Sequence, residues 1–391
     1  MNKLKSKKKR IAVITTTRAD YGLLKNLIKK LEKSRLIESK LIVCGTHTVK
    51  KFGLTIDEIK KDKIKIHKIF NLNFKNDQPL EATNFFLNLG KKFNLFFNKF
   101  YIDGIIILGD RYEVLSIASV AKIYNIPIIH FHGGESTFSL IDDSIRHAIS
   151  KLACLHFTSH KIYKKRLENM GEDPKQVFSF GGLGASAINQ IKLFSKQELE
   201  KILKIKLDKN FLLITFHPIT LENENTKKEF KNLLMALKKF KKLILIFTSP
   251  NADVNHLVIK RLQNSFIKKN KNAYAFQSLG AKIYYSLMRY SSGIIGNSSS
   301  GILEAPSFQV PTINIGNRQG GRLQASSIIN CLGIEKQIQV SINKALSVKF
   351  KNKIKYSKNL YFQKNTEKNI ITVIEKINLE LINKKKFYEK N

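Results

Sequence analysis

The sequence predicts an α/β protein with two doubly wound domains, each built on a parallel sheet that helices cover on both faces. Three observations lead to this prediction. The chain has 391 residues, a length that suits two domains better than one. Short, continuous apolar runs alternate with amphipathic stretches, as expected for parallel strands that are buried on both faces. The same alternation then restarts in the second half of the chain.

The first half opens with a β-branched run that is followed by an amphipathic stretch. Leu24, Leu27, Ile28 and Leu31 have the i, i+3, i+4 spacing of one helix face. The later apolar runs are too short for helices and are interpreted as strands. The predicted strands of this half are 10–16, 41–44, 64–69, 104–108 and 126–131, and its predicted helices are 21–33, 80–101 and 114–124.

The second half repeats this pattern after a glycine-dense stretch, 181–186, which has no periodicity and is the predicted hinge. We therefore expect an N-terminal domain at 1–184 and a C-terminal domain at 185–391. A polar helix is expected from Asn359 onward, packing back on the first domain, with a frayed end at 384–391. The predicted strands here are 211–216, 243–248, 293–295 and 311–315, and the predicted helices are 227–240, 281–289 and one that begins within 299–307.

Ligands of doubly wound domains bind at the carboxyl ends of the parallel strands. Two such domains joined by a hinge are therefore expected to face each other across a cleft that holds the ligand. The loops that follow the strands are the places to look for functional residues.

The cysteines argue against two classes of structural site. The chain has only three, far apart and without a CxxC pair, which disfavours a disulfide framework and a zinc site. Cys44 and Cys154 lie in apolar runs and are predicted to be buried thiols.

The formal net charge of +39 raises the question of an anionic partner. The lysines are spread along the chain, and no segment interleaves arginine with aromatic residues as a nucleic-acid groove would. We therefore interpret the charge as solvated surface and expect no nucleic-acid partner. No apolar run approaches the roughly 18 residues of a membrane span, so no membrane association is expected. The apolar run 11–14 is too short for a signal peptide, so we expect a cytoplasmic protein.

Two polar residues follow predicted strands of the first half. Arg18 lies in the turn after the first strand, where a phosphate contact is plausible chemistry. Capping of the next helix by Asp20 would explain the same turn equally well. Asp110 follows the fourth strand, a position suited to chemistry, although aspartate also caps helices.

The segment 130–135, HFHGGE, follows the fifth strand. Its two glycines would permit close backbone approach to a ligand, while histidine and glutamate transfer protons near neutral pH. A metal site of His130, His132 and Glu135 is the competing use, because i, i+2 spacing places both histidines on one side of an extended segment. No further ligand cluster accompanies them, so we expect no metal.

The next polar segment holds Asp142, Asp143, Arg146 and His147. Adjacent carboxylates at a helix start complement the helix dipole and need no further role. If they face the cleft, a carboxylate near Arg146 would instead act as a base or position the substrate. The residues alone leave both interpretations open.

The second half offers a histidine and a serine-rich helix start. His217 ends a predicted strand. Ser298, Ser299 and Ser300 would present hydroxyls and backbone N–H groups to an anion at a helix N-terminus, although ordinary capping gives the same pattern. Glu304 lies one turn into that predicted helix, where ribose hydroxyls would fall.

Together these segments resemble the hydrolysing UDP-N-acetylglucosamine 2-epimerases. The resemblance implies two Rossmann-like domains in the glycosyltransferase-B architecture, a homo-oligomer and a nucleotide sugar as the small-molecule partner. We expect no cofactor. The matching motifs, in family order, are TTRADYG (16–22), LGDR (108–111), HFHGGE (130–135), IDDSIRHAISKLACLHF (141–157), FHP (216–218), IGNSSSG (295–301) and INIGNRQGGR (313–322).

In that family a base removes the C2 proton of the sugar while the nucleoside diphosphate leaves C1, and the resulting glycal is hydrated. The resemblance assigns roles to residues of this chain. Other branches carry glutamate in place of His132, so the base here is His132, Glu135 or Asp143. The acid/base set is Asp110, Glu135, Asp143 and His217; the diphosphate contacts are Arg18, Ser298, Ser299 and Ser300; Glu304 contacts the ribose; and Arg111, Arg146 and His147 position the sugar or the carboxylates.

The version with His132 resembles bacterial members that feed sialic-acid-like sugar synthesis. These act on UDP-N-acetylglucosamine or on UDP-N,N'-diacetylbacillosamine, and the residues that contact C4 and C6 are not identifiable. We favour the simpler sugar, with N-acetylmannosamine and UDP as products. A non-hydrolysing 2-epimerase and a glycosyltransferase of the same architecture are the alternatives; the acid/base-rich first domain argues against the latter.

Overall fold

The computed structural model describes residues 8–49, 54–72, 78–138, 141–219, 223–250, 256–277 and 279–389. The chain divides into two units, each with one parallel sheet and helices on both faces, so the predicted fold class is confirmed. The first unit comprises Met1–Glu135, Asp142–Ala187 and Gln363–Asn391, and the second comprises Ser136–Ile141 and Ile188–Phe362.

The first unit is built on a seven-stranded sheet with the order β3-β2-β1-β4-β5-β6-β7. Its strands are β1 (Lys9–Thr15), β2 (Ile37–Val43), β3 (Ile66–Ile69), β4 (Gly104–Leu108), β5 (Ile128–Phe131), β6 (Leu155–Thr158) and β7 (Val177–Ser179). Its helices are α1 (Arg18–Leu31), α2 (Ile56–Lys61), α3 (Pro79–Lys99), α4 (Tyr112–Ile123), α5 (Ile141–Leu152), α6 (Lys161–Asn169) and α7 (Leu183–Ile188).

Alternate side chains of β1 point into the two apolar layers on opposite faces of this sheet. Ile11 and Val13 pack with Leu24 of α1, whereas Ala12 joins the layer of α3 and α4 on the opposite face. Because successive side chains of a strand point to opposite faces, a continuous apolar strand serves both layers at once. The polar ends of the strands are left to form loops at one edge of the sheet.

The second unit holds a six-stranded sheet with the order β10-β9-β8-β11-β12-β13. Its strands are β8 (Phe211–Thr215), β9 (Ile244–Thr248), β10 (Ala273–Phe276), β11 (Gly293–Gly296), β12 (Thr312–Ile315) and β13 (Ile328–Cys331). The remaining helices are α8 (Lys196–Leu203), α9 (Asn223–Leu237), α10 (His256–Lys269), α11 (Gly280–Tyr290), α12 (Ser300–Leu303), α13 (Glu335–Leu346), α14 (Val348–Ile354), α15 (Thr366–Lys376) and α16 (Leu379–Asn383), the last two belonging to the first unit.

The helix predicted to begin within 299–307 is broken. α12 ends at Leu303, and a 3₁₀ turn follows at Ala305–Phe308. Pro306 accounts for the break, because a proline ring clashes with the carbonyl one turn earlier and cannot donate the helical hydrogen bond. Glu304 therefore lies at the junction of two short turns and not inside a continuous helix.

The end of the chain is better ordered than predicted. Instead of one helix from Asn359, α15 begins only at Thr366 and is followed by the short α16. Residues 384–389, predicted to fray, dock on the first unit: the side chain of Lys385 is 13% exposed, and the backbone N–H of Tyr388 donates to the Gly171 carbonyl.

The predicted hinge region also contains regular structure. The stretch 181–186 was expected to lack it, but α7 begins at Leu183, and the first unit continues to Ala187. Cys44 and Cys154 are buried as predicted. None of the described helices combines the length and apolar character that a membrane span requires.

Gly296 supplies a test of the second sheet. It ends β11 with φ +141°, and a Cβ there would lie 1.9 Å from the Thr215 carbonyl oxygen of the neighbouring β8. We expect Gly296→Ala to destabilise the second unit by more than about 2 kcal/mol, because alanine is strained at this φ and its Cβ would collide with the Thr215 carbonyl. Thermal unfolding followed by circular dichroism measures the loss.

Gly22→Ala is the matched control. Gly22 lies inside α1, and an added Cβ would meet nothing within 4 Å. Alanine should leave stability unchanged or raise it by about 0.5–1 kcal/mol, since glycine is disfavoured within helices. Equal melting temperatures for the two variants would contradict the proposed clash.

Candidate active site

The turn after β1 is fixed by an acidic residue. Thr17 caps α1: its hydroxyl accepts from the Asp20 backbone N–H, and the Asp20 carboxylate accepts from the Thr17 N–H at 3.0 Å. Burial opposes ionisation of Asp20, but hydrogen bonds from His47 and the neighbouring threonines lower its pKa. Asp20 therefore serves the cap, one of the two predicted alternatives. Arg18 is the first residue of α1 and is half-buried.

Arg146 joins two predicted acidic residues. Its guanidinium donates to Asp110 through Nε at 3.0 Å and also through Nη2, and to Asp143 through Nη1 at 3.0 Å. Nη1 also donates to the Glu135 carbonyl at 2.9 Å. The Arg146 side chain is 1% exposed, whereas those of Asp110 and Asp143 are 25% and 30% exposed. The two carboxylates are thus partly exposed to solvent, whereas the guanidinium that binds both of them is buried.

His132 and Glu135 form a buried pair beside this cluster. The His132 Nδ1 lies 3.3 Å from Glu135 Oε1, which also accepts from the Ser159 hydroxyl at 2.8 Å. His132 adopts the left-handed region with φ 62°, an uncommon conformation for a residue with a side chain. Its Nε2 is buried and makes no hydrogen bond within the described part of the chain. The ring is thus anchored at one nitrogen only.

His130 has partners other than His132, and the described His, Cys, Asp and Glu residues include no group of three that could hold a metal ion. The His130 Nε2 lies 2.8 Å from the Gly109 carbonyl and its Nδ1 3.1 Å from the Ser150 hydroxyl. Burial lowers the pKa of His130 to about 3. Its ring is therefore neutral at pH 7, and both nitrogens are engaged by groups of the protein.

The glycines of HFHGGE serve packing between two helices; their approach to a ligand stays a prediction. A Cβ at Gly133 would lie 2.8 Å from the Ser150 hydroxyl on α5, and one at Gly134 would lie 2.4 Å from the Tyr163 carbonyl on α6. Gly134 also has φ +75°. These residues let the loop pass between two helices, which places Glu135 next to Ser159.

Arg111 and His147 lie at the edge of the same cluster. The Arg111 guanidinium contacts the buried Glu113 carboxylate at 3.2 Å. His147 Nε2 lies 3.6 Å from Asp143 Oδ2. Burial lowers the pKa of His147, although Asp143 opposes this shift. The first unit therefore brings together Asp110, His132, Glu135, Asp143, Arg146 and His147.

Asn297 organises the polar centre of the second unit. Its Oδ1 accepts from the His217 backbone N–H at 2.7 Å, and its Nδ2 donates to the His217 carbonyl at 2.8 Å. The Asn297 carbonyl accepts from Gln319 Nε2 at 2.8 Å and from Arg318 at 3.2 Å. Three separate motifs, FHP, IGNSSSG and NRQGGR, thus meet at one buried amide.

The three serines that were predicted to contact a diphosphate, 298–300, come directly after Asn297 in the sequence. The Ser300 hydroxyl lies 2.6 Å from the Tyr284 hydroxyl and 3.0 Å from the Ser298 hydroxyl. Ser299 occupies the N-cap position of α12, but its side chain makes no capping hydrogen bond. Glu304 is buried at the end of this turn. Simple capping by Ser299 therefore does not explain the serine-rich sequence.

Several of these contacts were not predicted. Ser159 follows β6, a strand that was not identified, so nothing indicated that it lies at the carboxyl edge of the sheet. Asn297 and Gln319 stood in the quoted motifs, but a buried amide that joins backbone groups has no sequence signature. Tyr284 and His47 gave no signal, because single polar residues in apolar surroundings are common.

Comparison with known proteins agrees with the motifs. A family model described as UDP-N-acetylglucosamine 2-epimerase matches residues 29–375. The chain is 44% identical over 324 residues to the GDP/UDP-N,N'-diacetylbacillosamine 2-epimerase (hydrolyzing) of Campylobacter jejuni, covering 83% of this chain and 84% of that one. The chain belongs to the UDP-N-acetylglucosamine 2-epimerase family. The predicted resemblance is confirmed.

Two further proteins extend the comparison. The chain is 37% identical to the polysialic acid biosynthesis protein P7 of Escherichia coli, over 94% of both chains. The crystal structure of UDP-GlcNAc 2-epimerase from Neisseria meningitidis bound to UDP-GlcNAc superposes with a TM-score of 0.81, covering 94% of this chain and 100% of that one. At 19% identity, that likeness supports the fold of the epimerase family.

The neutral, buried His130 predicts how stability depends on pH in this epimerase-family member. The unfolded chain binds a proton near pH 6.5, but the folded chain does so only near pH 3. Stability is therefore lost as the pH falls from 6.5 toward 3, by about 2 kcal/mol between pH 7 and pH 5. We expect His130→Gln to reduce this loss, measured by urea unfolding at both pH values.

His67→Gln is the control, because the His67 ring is only partly buried. It should leave most of the pH dependence in place. If His130→Gln and the wild type lost stability in parallel between pH 7 and pH 5, His130 would not be the neutral buried group described above.

Proposed function

We propose that the chain is a hydrolysing 2-epimerase that splits a nucleoside-diphosphate-linked 2-acetamido sugar and inverts its C2. The observation that carries this proposal is the cluster at the ends of β4 and β5, where His132 pairs with Glu135 beside the Arg146-bound carboxylates Asp110 and Asp143. It supplies more than one proton-transfer group within a few ångströms, as inversion at C2 requires.

The proposed reaction consists of two steps, an elimination and a hydration. The base takes the C2 proton, the C–H electrons form a C1=C2 double bond, and the C1–O bond breaks to release the nucleoside diphosphate. Water then adds its oxygen to C1, and a proton is added to C2 on the face opposite to the one from which the first proton was removed. The products are a free 2-epimerised sugar and the nucleoside diphosphate. Because a C2 proton is weakly acidic, its removal depends on stabilising the charge of the departing diphosphate.

We assign the base to His132. Glu135 binds the Nδ1 side of the ring and so favours the tautomer with its lone pair on Nε2, the nitrogen that has no partner within the described residues. The Ser159 hydroxyl fixes Glu135 in turn. A carboxylate that orients an imidazole is the arrangement that makes histidine an effective base. In this assignment Glu135 acts through His132.

Asp110 and Asp143 are proposed to serve the second proton transfer. The buried Arg146 guanidinium binds both carboxylates, and their partial exposure permits proton exchange with water. His147 lies 3.6 Å from Asp143, and burial favours its neutral form, so it is suited to share a proton with that carboxylate. Arg111 is then left to position the sugar.

The second unit is proposed to hold the leaving group. Ser298, Ser299 and Ser300 begin a short turn, and two hydrogen bonds between the Asn297 side chain and the His217 backbone fix His217 beside this segment. Hydroxyls and backbone N–H groups suit a diphosphate, and the His217 imidazole suits proton donation to it. Glu304 is proposed to bind the ribose, and Arg18 stays a predicted diphosphate contact.

For the sugar we propose N,N'-diacetylbacillosamine, because the relative with 44% identity is named for that substrate. This departs from the simpler sugar that the sequence favoured. UDP-N-acetylglucosamine is the second candidate, supported by the description of the matching family model.

Incubation without an acceptor tests the reaction and the sugar together. UDP-N,N'-diacetylbacillosamine, its GDP analogue and UDP-N-acetylglucosamine are supplied separately in D2O, and the products are followed by NMR. We expect nucleoside diphosphate and a free 2-epimer with deuterium at C2, formed fastest from a diacetylated substrate. A nucleotide-linked epimer would refute hydrolysis, and no release from any of the three would refute the proposed function.

Substitution of His132 tests the base. His132→Gln should lower kcat by at least about 100-fold while UDP binding, measured by calorimetry, stays unchanged, since general-base catalysis contributes roughly that much. Ser299→Ala is the matched contrast: it should weaken UDP binding with only a modest loss of turnover. If His132→Gln kept kcat within threefold of wild type, the base would have to be Glu135 or Asp143.

A further inference from the structure

The segment 384–389, called here the tail segment, contacts the helix that carries Asp143 and Arg146. The Lys385 ammonium donates to the carbonyls of Lys151 at 2.8 Å, Ala153 at 2.9 Å and Ser150 at 3.4 Å. These carbonyls lie at the C-terminal end of α5, where the helix leaves its last carbonyls without helical partners. A cation at this end also complements the helix dipole.

A buried carboxylate holds Lys385 in this position. Glu172 Oε2 lies 2.5 Å from the Lys385 ammonium and 3.0 Å from His156 Nε2, and Glu172 Oε1 lies 2.8 Å from the Lys151 ammonium. Burial opposes ionisation of Glu172, but His156 and the two lysines lower its pKa to about 2. Glu172 is thus ionised at neutral pH, and loss of Lys385 would remove a main partner of a buried charge.

The rest of the tail segment adds two contacts. The Tyr388 backbone N–H donates to the Gly171 carbonyl at 2.9 Å. The Lys151 ammonium lies 4.8 Å from the centroid of the Phe387 ring. Gly171 has φ +84°, and a Cβ there would lie 2.4 Å from Phe387, so the tail segment passes close against this turn. The docking therefore does not depend on Lys385 alone.

α5 connects this anchor to the proposed proton-transfer groups. Asp143 lies eight positions before Lys151 on the same helix, about 12 Å along its axis. Between them, Ile149 is buried in the core and Ser150 contacts His130. A packed helix moves as a rigid element, so a shift at its C-terminal end displaces the carboxylate and guanidinium at its start. Misplacement by about 1 Å costs on the order of 100-fold in rate.

We propose that Lys385 is a positioning residue: by capping the C-terminal end of α5, it sets the place of Asp143 and Arg146. The kinetic part of this proposal rests on the proposed function, whereas the structural part does not. Lys385 acts through α5 and touches none of the proposed catalytic groups.

Lys385→Met in the full chain tests the proposal, with Lys386→Met as the matched control because Lys386 is exposed. We expect Lys385→Met to lower kcat at least fivefold with KM within twofold of wild type. Hydrogen exchange in peptides from 141–153 should become at least tenfold faster. Lys386→Met should change neither quantity. Phe387→Ala, a milder change, should give an intermediate exchange rate if Lys385→Met does not fold.

Two results would overturn the proposal. Unchanged exchange in 141–153 would show that Lys385 does not fix α5. Faster exchange with kcat within twofold of wild type would show that the cap has no positioning role. If the wild-type protein released no nucleoside diphosphate from any of the three sugars, the proposed function would fall, while the exchange measurement would still decide whether Lys385 fixes α5.

Discussion

The buried guanidinium of Arg146 is the interaction on which the polar cluster of the first unit depends. Burial alone would lower the pKa of Arg146, but the negative charges of Asp110, Glu135 and Asp143 raise it, so the cation persists inside the protein. Its donors reach the end of β4, the loop after β5 and the first turn of α5. One buried cation thereby holds three segments of the chain together, because leaving it unpaired would cost several kcal/mol.

Much of the fold was predictable because parallel strands that are buried on both faces read as continuous apolar runs. β4, β5, β8 and β9 were found in this way. The strands β6, β7, β10 and β13 were not predicted; each has only three or four residues, and several include polar ones, as in the LHFT of β6. β5 is equally short but lies in a longer predicted run, 126–131. The C-terminal tail segment was misjudged because the contacts of Lys385 are to residues more than 200 positions away, which no local pattern reveals.

The individual site residues were predictable from their place after strands, but their partnerships were not. Arg146 was expected near a carboxylate and contacts two. The spacing of His130 and His132 suggested that both side chains point to the same side of an extended segment. His132 has a left-handed backbone conformation, so the alternation of side chains along the strand stops before it. Ser159 and Asn297 act through hydrogen bonds that only the tertiary structure creates.

The discontinuity of the first unit has a consequence for the order of folding during synthesis. α15 buries Ile370 and Ile374 in the layer that also holds Ile11 and Leu24, yet it leaves the ribosome after the whole of 188–362. Domains generally fold as units in the order of their synthesis. Here the second unit is fully emerged while one apolar face of the first sheet still lacks α15, one of the helices that cover it. The half of the chain that is made first is therefore the half that finishes folding last.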